Sequence, residues 1–239
     1  MLKVKPTCTL CGNTEGYQPI EGLAEKLAEA GFPYSLDDFE TLSYKSYLCA
    51  NCGSSDRDRL YKLYIEKARP ISKNSKVLDF APPQKLMEYV KSITKNYRSA
   101  DLLIESYDDK VDITNMKEYK NNTFDFFICS HVVEHVDNDE KAMRELHRVL
   151  KPGGKGIIMT PILPRKGVHD EDPSVTDVDE RWRRFAQDDH IRLYEKSVFL
   201  DRLKKAGFKI KVYGFWNLSP LSFLRNGISF GSRLYVVEK

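Results

Sequence analysis

The sequence contains no apolar run approaching the roughly 20 residues that a membrane helix needs. Its opening residues, Met1-Leu2-Lys3-Val4-Lys5-Pro6, lack the apolar stretch of a signal peptide. The expectation is a soluble, cytoplasmic chain without a membrane span. There is no internal repeat and no low-complexity tract. Excess charge is small: 38 basic against 35 acidic residues leave +3, which argues against a dedicated nucleic-acid surface. Cysteine is scarce, with five in 239 residues, yet four of the five fall into two Cys-x-x-Cys pairs. In a reducing compartment that pattern points to metal rather than disulfides.

What is present is an alternation of strand and helix patterns. Residues 76–80 read as a buried strand, Leu86, Val90 and Ile93 mark a helix, and residues 97–102 and 124–129 read as further strands. Asp137 and Glu140 have the spacing of a capping box ahead of a helix that buries Ala142, Leu146 and Val149. Lys151-Pro152-Gly153-Gly154 ends that helix, and residues 156–160 form the next strand. Such alternation predicts an α/β domain with a Rossmann-like, mainly parallel sheet. In the tail, a helix near 195–206 precedes two strands, 208–215 and 233–238, with no clear helix between them. An antiparallel last strand at the sheet edge follows. The expected division is a ribbon over 1–56, a connecting helix and linker over 57–74, and the main domain over 75–239.

Cys8-x-x-Cys11-Gly12 and Cys49-x-x-Cys52-Gly53 are matching half-sites. Two intervening residues let both thiolates of a pair face one metal, and the following glycine allows a tight turn. Two such knuckles complete a closed Cys₄ zinc site of the structural type. Cys129 sits in a strand among Phe and Ile and reads as core.

In an open α/β sheet a nucleotide-like ligand binds beyond the carboxyl ends of the strands, where strand order reverses. The first strand ends at Asp79-Phe80-Ala81-Pro82-Pro83, and the second at Asp101-Leu102, an acidic position suited to ribose hydroxyls. Asp112-Ile113 follows, with Asp112 placed for an adenine amino group, and Ser130-His131-Val132-Val133-Glu134-His135 follows the 124–129 strand. Together with Glu145-Leu146-His147-Arg148-Val149-Leu150-Lys151-Pro152-Gly153-Gly154, these residues resemble the class I S-adenosylmethionine (SAM)-dependent methyltransferases, in particular the type 11 group, over about residues 75–239. The resemblance implies SAM as cofactor, held by Asp79, Phe80, Ala81, Asp101, Leu102, Asp112, Ile113 and Ser130. One departure stands out: where the family carries glycines after the first strand, this chain reads Ala81-Pro82-Pro83, which supplies fewer loop amides.

A hydroxyl acceptor gains from a base, and histidine suits that task. His131, at a strand end, and His190, in a charged segment, are the catalytic candidates. Residues 161–194 read as a long acceptor loop, with Glu171, Asp172, Arg184, Arg192 and Tyr194 as substrate-binding candidates. The order aspartate, His190, Ile191, Arg192, Leu193, Tyr194 resembles a signature of zinc-ribboned sugar or surface-glycan methyltransferases, which implies a small-molecule or glycan acceptor. Residues 215–231 read as an apolar, lid-like insertion that can pack on the ribbon or on a second subunit. Two other functions stay open: an RNA methyltransferase using the ribbon with Arg57, Arg59 and Arg69 as a platform, and a non-catalytic interaction module on the same fold.

Overall fold

The computed structural model describes residues 4–239. Its main sheet has seven strands: β1 (Val77–Phe80), β2 (Tyr97–Asp101), β3 (Asp109–Lys110), β4 (Phe124–Ser130), β5 (Leu150–Met159), β6 (Lys209–Gly214) and β7 (Arg233–Glu238). They lie in the order β3-β2-β1-β4-β5-β7-β6. All pairs from β3 to β5 are parallel, while β7 runs antiparallel to both β5 and β6. The two late strands do form the antiparallel pair expected at the edge, with β6 outermost. Chain order reverses between β1 and β4, so the crevice beyond their carboxyl ends is the place where the fold can take a ligand.

Helices α3 (Gln84–Ile93), α4 (Asp139–Val149) and α6 (Lys196–Lys205) connect or flank these strands. Helix α4 begins one residue later than the capping-box reading: Asn138 accepts the Lys141 N–H at 2.8 Å, so Asn138, not Asp137, is its cap. Helix α4 stops at Val149, ahead of Lys151-Pro152-Gly153-Gly154, and that run bulges within β5: Leu150 pairs with Phe124 and Lys155 with Phe126, and Gly153 turns at φ 75°. Gly156 is required by packing, since a Cβ there would stand 2.3 Å from the Phe127 ring.

Ahead of the sheet come helix α1 (Leu23–Glu29), a two-strand ribbon in which Tyr17–Gln18 pairs with Leu48–Cys49, and helix α2 (Asp56–Ala68). Ser55 and Asp58 cap α2 reciprocally, and Arg69 closes it in a left-handed conformation (φ 47°) before Pro70. Leu27, Phe32 and Leu36 of this N-terminal part share a small apolar core with Leu163, Phe185 and Leu193 of segment 161–194.

Residues 161–194 are a folded element rather than a loop. Ile162–Leu163, Asp170–Glu171 and Arg192–Glu195 make a three-stranded sheet, and helix α5 (Val178–Phe185) packs beside it. Residues 215–231 are short helices that grip the N-terminal part. Tyr17 Oη donates to Arg225 O (2.8 Å), Ser46 Oγ to Gly227 O (2.6 Å) and Arg59 Nε to Asn226 O (2.7 Å). The lid reading gives way to the packing one: this insertion ties the ribbon to the main domain.

Candidate active site

The four paired cysteines converge. Cys8 Sγ lies 3.9 Å from Cys52 Sγ and Cys11 Sγ 3.7 Å from Cys49 Sγ, and all four sulfurs lie within 4.8 Å of one another. Zinc–sulfur bonds of about 2.3 Å in a tetrahedron place sulfurs about 3.8 Å apart, so the thiols fit that ion. Gly12 and Gly53 turn at φ 75° and 68°, and each donates its N–H to the first cysteine carbonyl of its knuckle (2.8 and 2.9 Å). Asn51 Nδ2 faces Cys11 Sγ at 3.7 Å and Asn13 Nδ2 faces Cys49 Sγ at 3.9 Å, donors of the kind that steady thiolates. Cys129 lies apart in β4, fully buried.

Beyond β1 the chain turns at Ala81 with φ 45°, a left-handed conformation that favours glycine. An alanine held there costs about 1–2 kcal/mol. The turn persists because the Ala81 N–H bonds Ala100 O at 3.0 Å. The missing glycines therefore leave the turn intact at an energetic cost. Asp79 is fully buried, donates nothing and accepts from Tyr97 Oη at 2.9 Å, and its Oδ1 has no partner. Burial pushes its carboxyl up to about 8. An orphaned buried carboxyl oxygen next to the switch point fits the ammonium of an amino-acid-bearing cofactor such as SAM. Asp101 Oδ1 accepts the N–H groups of Leu103 (2.7 Å) and Ile104 (2.8 Å), shaping the loop after β2. Leu102, Leu103 and Ile104 are exposed on that loop. Asp112 Oδ1 accepts from Thr114 N and Oγ1, both at 2.8 Å. Ile113 and Phe80 are buried, and Ser130 Oγ bonds Tyr61 Oη of α2 at 2.7 Å.

His131, the first residue after β4, also adopts a left-handed conformation (φ 56°), strain of the kind that collects at functional sites. Its Nδ1 lies 3.0 Å from Glu134 Oε1, and the Arg57 guanidinium contacts both ring nitrogens. Burial, then Arg57, push its imidazole down to about 4, so the ring is neutral at pH 7. Arg57 also bonds Tyr47 Oη.

A cavity of about 570 Å³ joins these parts. Leu23, Leu27, Leu36 and Phe39 form one apolar wall, and Trp182 and Phe185 of α5 another. Arg57, His131 and His190 stand together along its polar lining. The two histidines singled out in the sequence thus share one cavity. The carboxylates and arginines of segment 161–194 do not line it. Arg192 is buried and donates to Val133 O (2.6 Å) and to Glu171 (2.8 Å). Arg184 pairs with Asp170 (2.6 Å) and Asp172 (3.0 Å), and Tyr194 Oη bonds Asp139. Glu171, Asp172, Arg184, Arg192 and Tyr194 are thus engaged by other groups of the protein and stand outside the cavity lining. Arg59 is likewise fully buried, with donors on Ser46 O, Tyr47 O, Ser54 O and Asn226 O, and offers nothing to a phosphate. Arg57 and Trp182 were missed as cavity residues in the sequence. Arg57 sits in the first turn of a charged helix, and only the fold of the ribbon brings it to His131.

Residues 77–158, about a third of the chain, match the sequence model of a family described as a methyltransferase domain. No curated protein sequence matches the chain. Among solved structures, the chain is similar to a SAM-dependent methyltransferase from Archaeoglobus fulgidus, at 16% identity over 78% of this chain and 95% of that one, with a TM-score of 0.48. It is similar to another from Mesorhizobium loti, at 13% identity over 76% and 98%, TM-score 0.48. A third is phosphoethanolamine N-methyltransferase 2 of Haemonchus contortus in complex with SAM, at 14% identity over 78% and 53%, TM-score 0.48.

Proposed function

We propose, on the premise that this chain carries a methyltransferase domain of the SAM-dependent class, that it methylates a hydroxyl oxygen of a small acceptor seated in the cavity beside His131. The observation that carries this reading is the double position of His131. It directly follows β4 at the strand-end crevice where the cofactor would lie, and it lines the cavity. The cavity's apolar walls suit an acceptor with an apolar face or aglycone, and a glycan precursor of that kind is the acceptor class we favour.

When bound, SAM supplies an electrophilic methyl group on a sulfonium. Asp101 would hold the ribose hydroxyls through the oxygen its loop leaves free, Asp79 the methionine end, and Asp112 with Ile113 the adenine. Phe80, Ala81, Leu102 and Ser130 would border the same crevice. Much of the remaining work is positioning. The apolar walls exclude water, Arg57 gives up its contact with His131 Nε2 to the acceptor oxygen and orients it, and Nε2 then accepts the hydroxyl proton while Glu134 faces Nδ1. The four N-terminal cysteines would hold a structural zinc, which fixes the ribbon and hence one cavity wall.

Calorimetric titration with SAM tests the cofactor assignment. Asp101→Asn keeps the oxygen that accepts from Leu103 and Ile104 but loses a charge-assisted acceptor worth about 1.5–3 kcal/mol. SAM affinity is expected to fall at least tenfold while the melting temperature stays near that of the wild type. An unchanged dissociation constant removes Asp101 from the cofactor site.

A further inference from the structure

We propose that Glu134, His135 and His190 bind one first-row divalent cation at the polar side of the cavity, a site separate from the four cysteines. The candidate ligand atoms of these three side chains lie within 4.8 Å of one another. Glu134 is fully buried, with Oε2 left without a partner and Oε1 facing the His131 Nδ1 at 3.0 Å. A buried carboxylate oxygen given no donor is costly to keep unless a positive charge compensates it.

The two imidazoles are already held in the manner of metal ligands. His190 Nδ1 lies 3.2 Å from Phe185 O, so that nitrogen carries the hydrogen, and Nε2 keeps its lone pair 4.0 Å from Glu134 Oε1. His135 Nδ1 faces both the backbone oxygen and the carboxylate of Asp189 at 3.3 Å, which leaves its Nε2 free. The rings meet edge to face at 4.7 Å. An imidazole anchored through one nitrogen on a carbonyl or carboxylate presents the other to a metal.

Two neutral imidazoles and one carboxylate favour Mn²⁺, Fe²⁺, Co²⁺ or Zn²⁺ over the all-oxygen cations. Bonds near 2.1 Å put ligand atoms about 3.0–3.4 Å apart, so binding draws the three side chains together by about 1 Å. Three protein ligands leave coordination positions open. His190 belongs to the cavity wall as well as to the cluster, and so, resting on the acceptor reading above, the open positions take an oxygen of the acceptor.

Equilibrium dialysis of the full-length, zinc-loaded protein against Mn²⁺, followed by elemental analysis, tests the site without SAM or acceptor. The wild type is expected to hold two equivalents of divalent metal per chain, one beyond the thiolate-bound zinc. Glu134→Gln should lose the second equivalent and keep the first. Asp189→Asn alters an exposed side chain, leaves the fold intact, and should weaken the second equivalent about 10- to 100-fold. A wild type that never exceeds one equivalent overturns the proposal, as does a second equivalent that both variants leave unchanged. A protein that gains the second equivalent yet transfers no methyl group supports the site and sinks only the transfer reading.

Discussion

Cys49→Ser protein is expected to contain well under one zinc per chain, against one in the wild type, and to lose acceptor methylation by more than 100-fold. The reason lies in how little else holds the N-terminal part together. Its regular structure is a ribbon of two-residue strands and a seven-residue helix. Its buried apolar residues, Leu27, Phe32 and Leu36, gain their core only by meeting Leu163, Phe185 and Leu193. A structural zinc contributes about 10–16 kcal/mol of apparent binding free energy, comparable with the whole stability of a domain. Without it the ribbon opens, and with it go Leu23, Leu27, Leu36 and Phe39 from the cavity wall. The crevice beyond β1 and β4 is built from the main sheet, so SAM affinity should change by less than about threefold. Elemental analysis, limited proteolysis of the first 55 or so residues and SAM titration read the three effects separately. Cys129→Ser, in the core of β4, should leave zinc content at one. A Cys49→Ser protein with full zinc and intact transfer would contradict the Cys₄ assignment.

The His131→Asn enzyme should retain SAM affinity and lose kcat by about 10²–10⁴-fold, the usual contribution of a positioned base. Asparagine is the informative substitution because residue 131 sits at φ 56°, a conformation that asparagine tolerates and alanine resists. Folding is thereby preserved while the proton acceptor is removed. Arg57 stands against the ring and opposes its protonation, whereas Glu134 at 3.0 Å favours it. As proposed, His131 would act as the base with Glu134 as the carboxylate that orients it, and the pair would work only with both present. Steady-state kinetics with the genuine acceptor, together with SAM titration, checks the split. Full kcat in this variant would move the proton to another group.

The parallel core was legible in the sequence because its central strands are rich in apolar residues, as at Phe124–Cys129 where only Asp125 interrupts, and because the breaks between them fall on carboxylates at strand ends. The paired cysteines were legible because their spacing is itself the geometry of the site. Segment 161–194 was misread as a loop. Its strands Ile162–Leu163 and Asp170–Glu171 are two residues each, too short to show a period. Arg192 is a substrate candidate in the sequence because the order around it resembles a methyltransferase signature, and that order says nothing of its burial. Its burial depends on carbonyls at Val133 and Val136, far away in the chain. Arg57 shows the opposite error, since a charge that looked like a surface feature lies against His131. In each case the deciding partner is distant in sequence, and local pattern carries no information about it.

The most direct measurement is transfer of labelled methyl from SAM to a panel of sugar nucleotides, oligosaccharides, glycosides with apolar aglycones, and RNA. The account predicts label on a hydroxyl oxygen of one small acceptor, greatest for those with an apolar portion, lowered in Asp101→Asn at limiting SAM and lowered in His131→Asn at any SAM concentration. Label appearing only in RNA, or no transfer to any acceptor by a protein that binds no SAM, would contradict it.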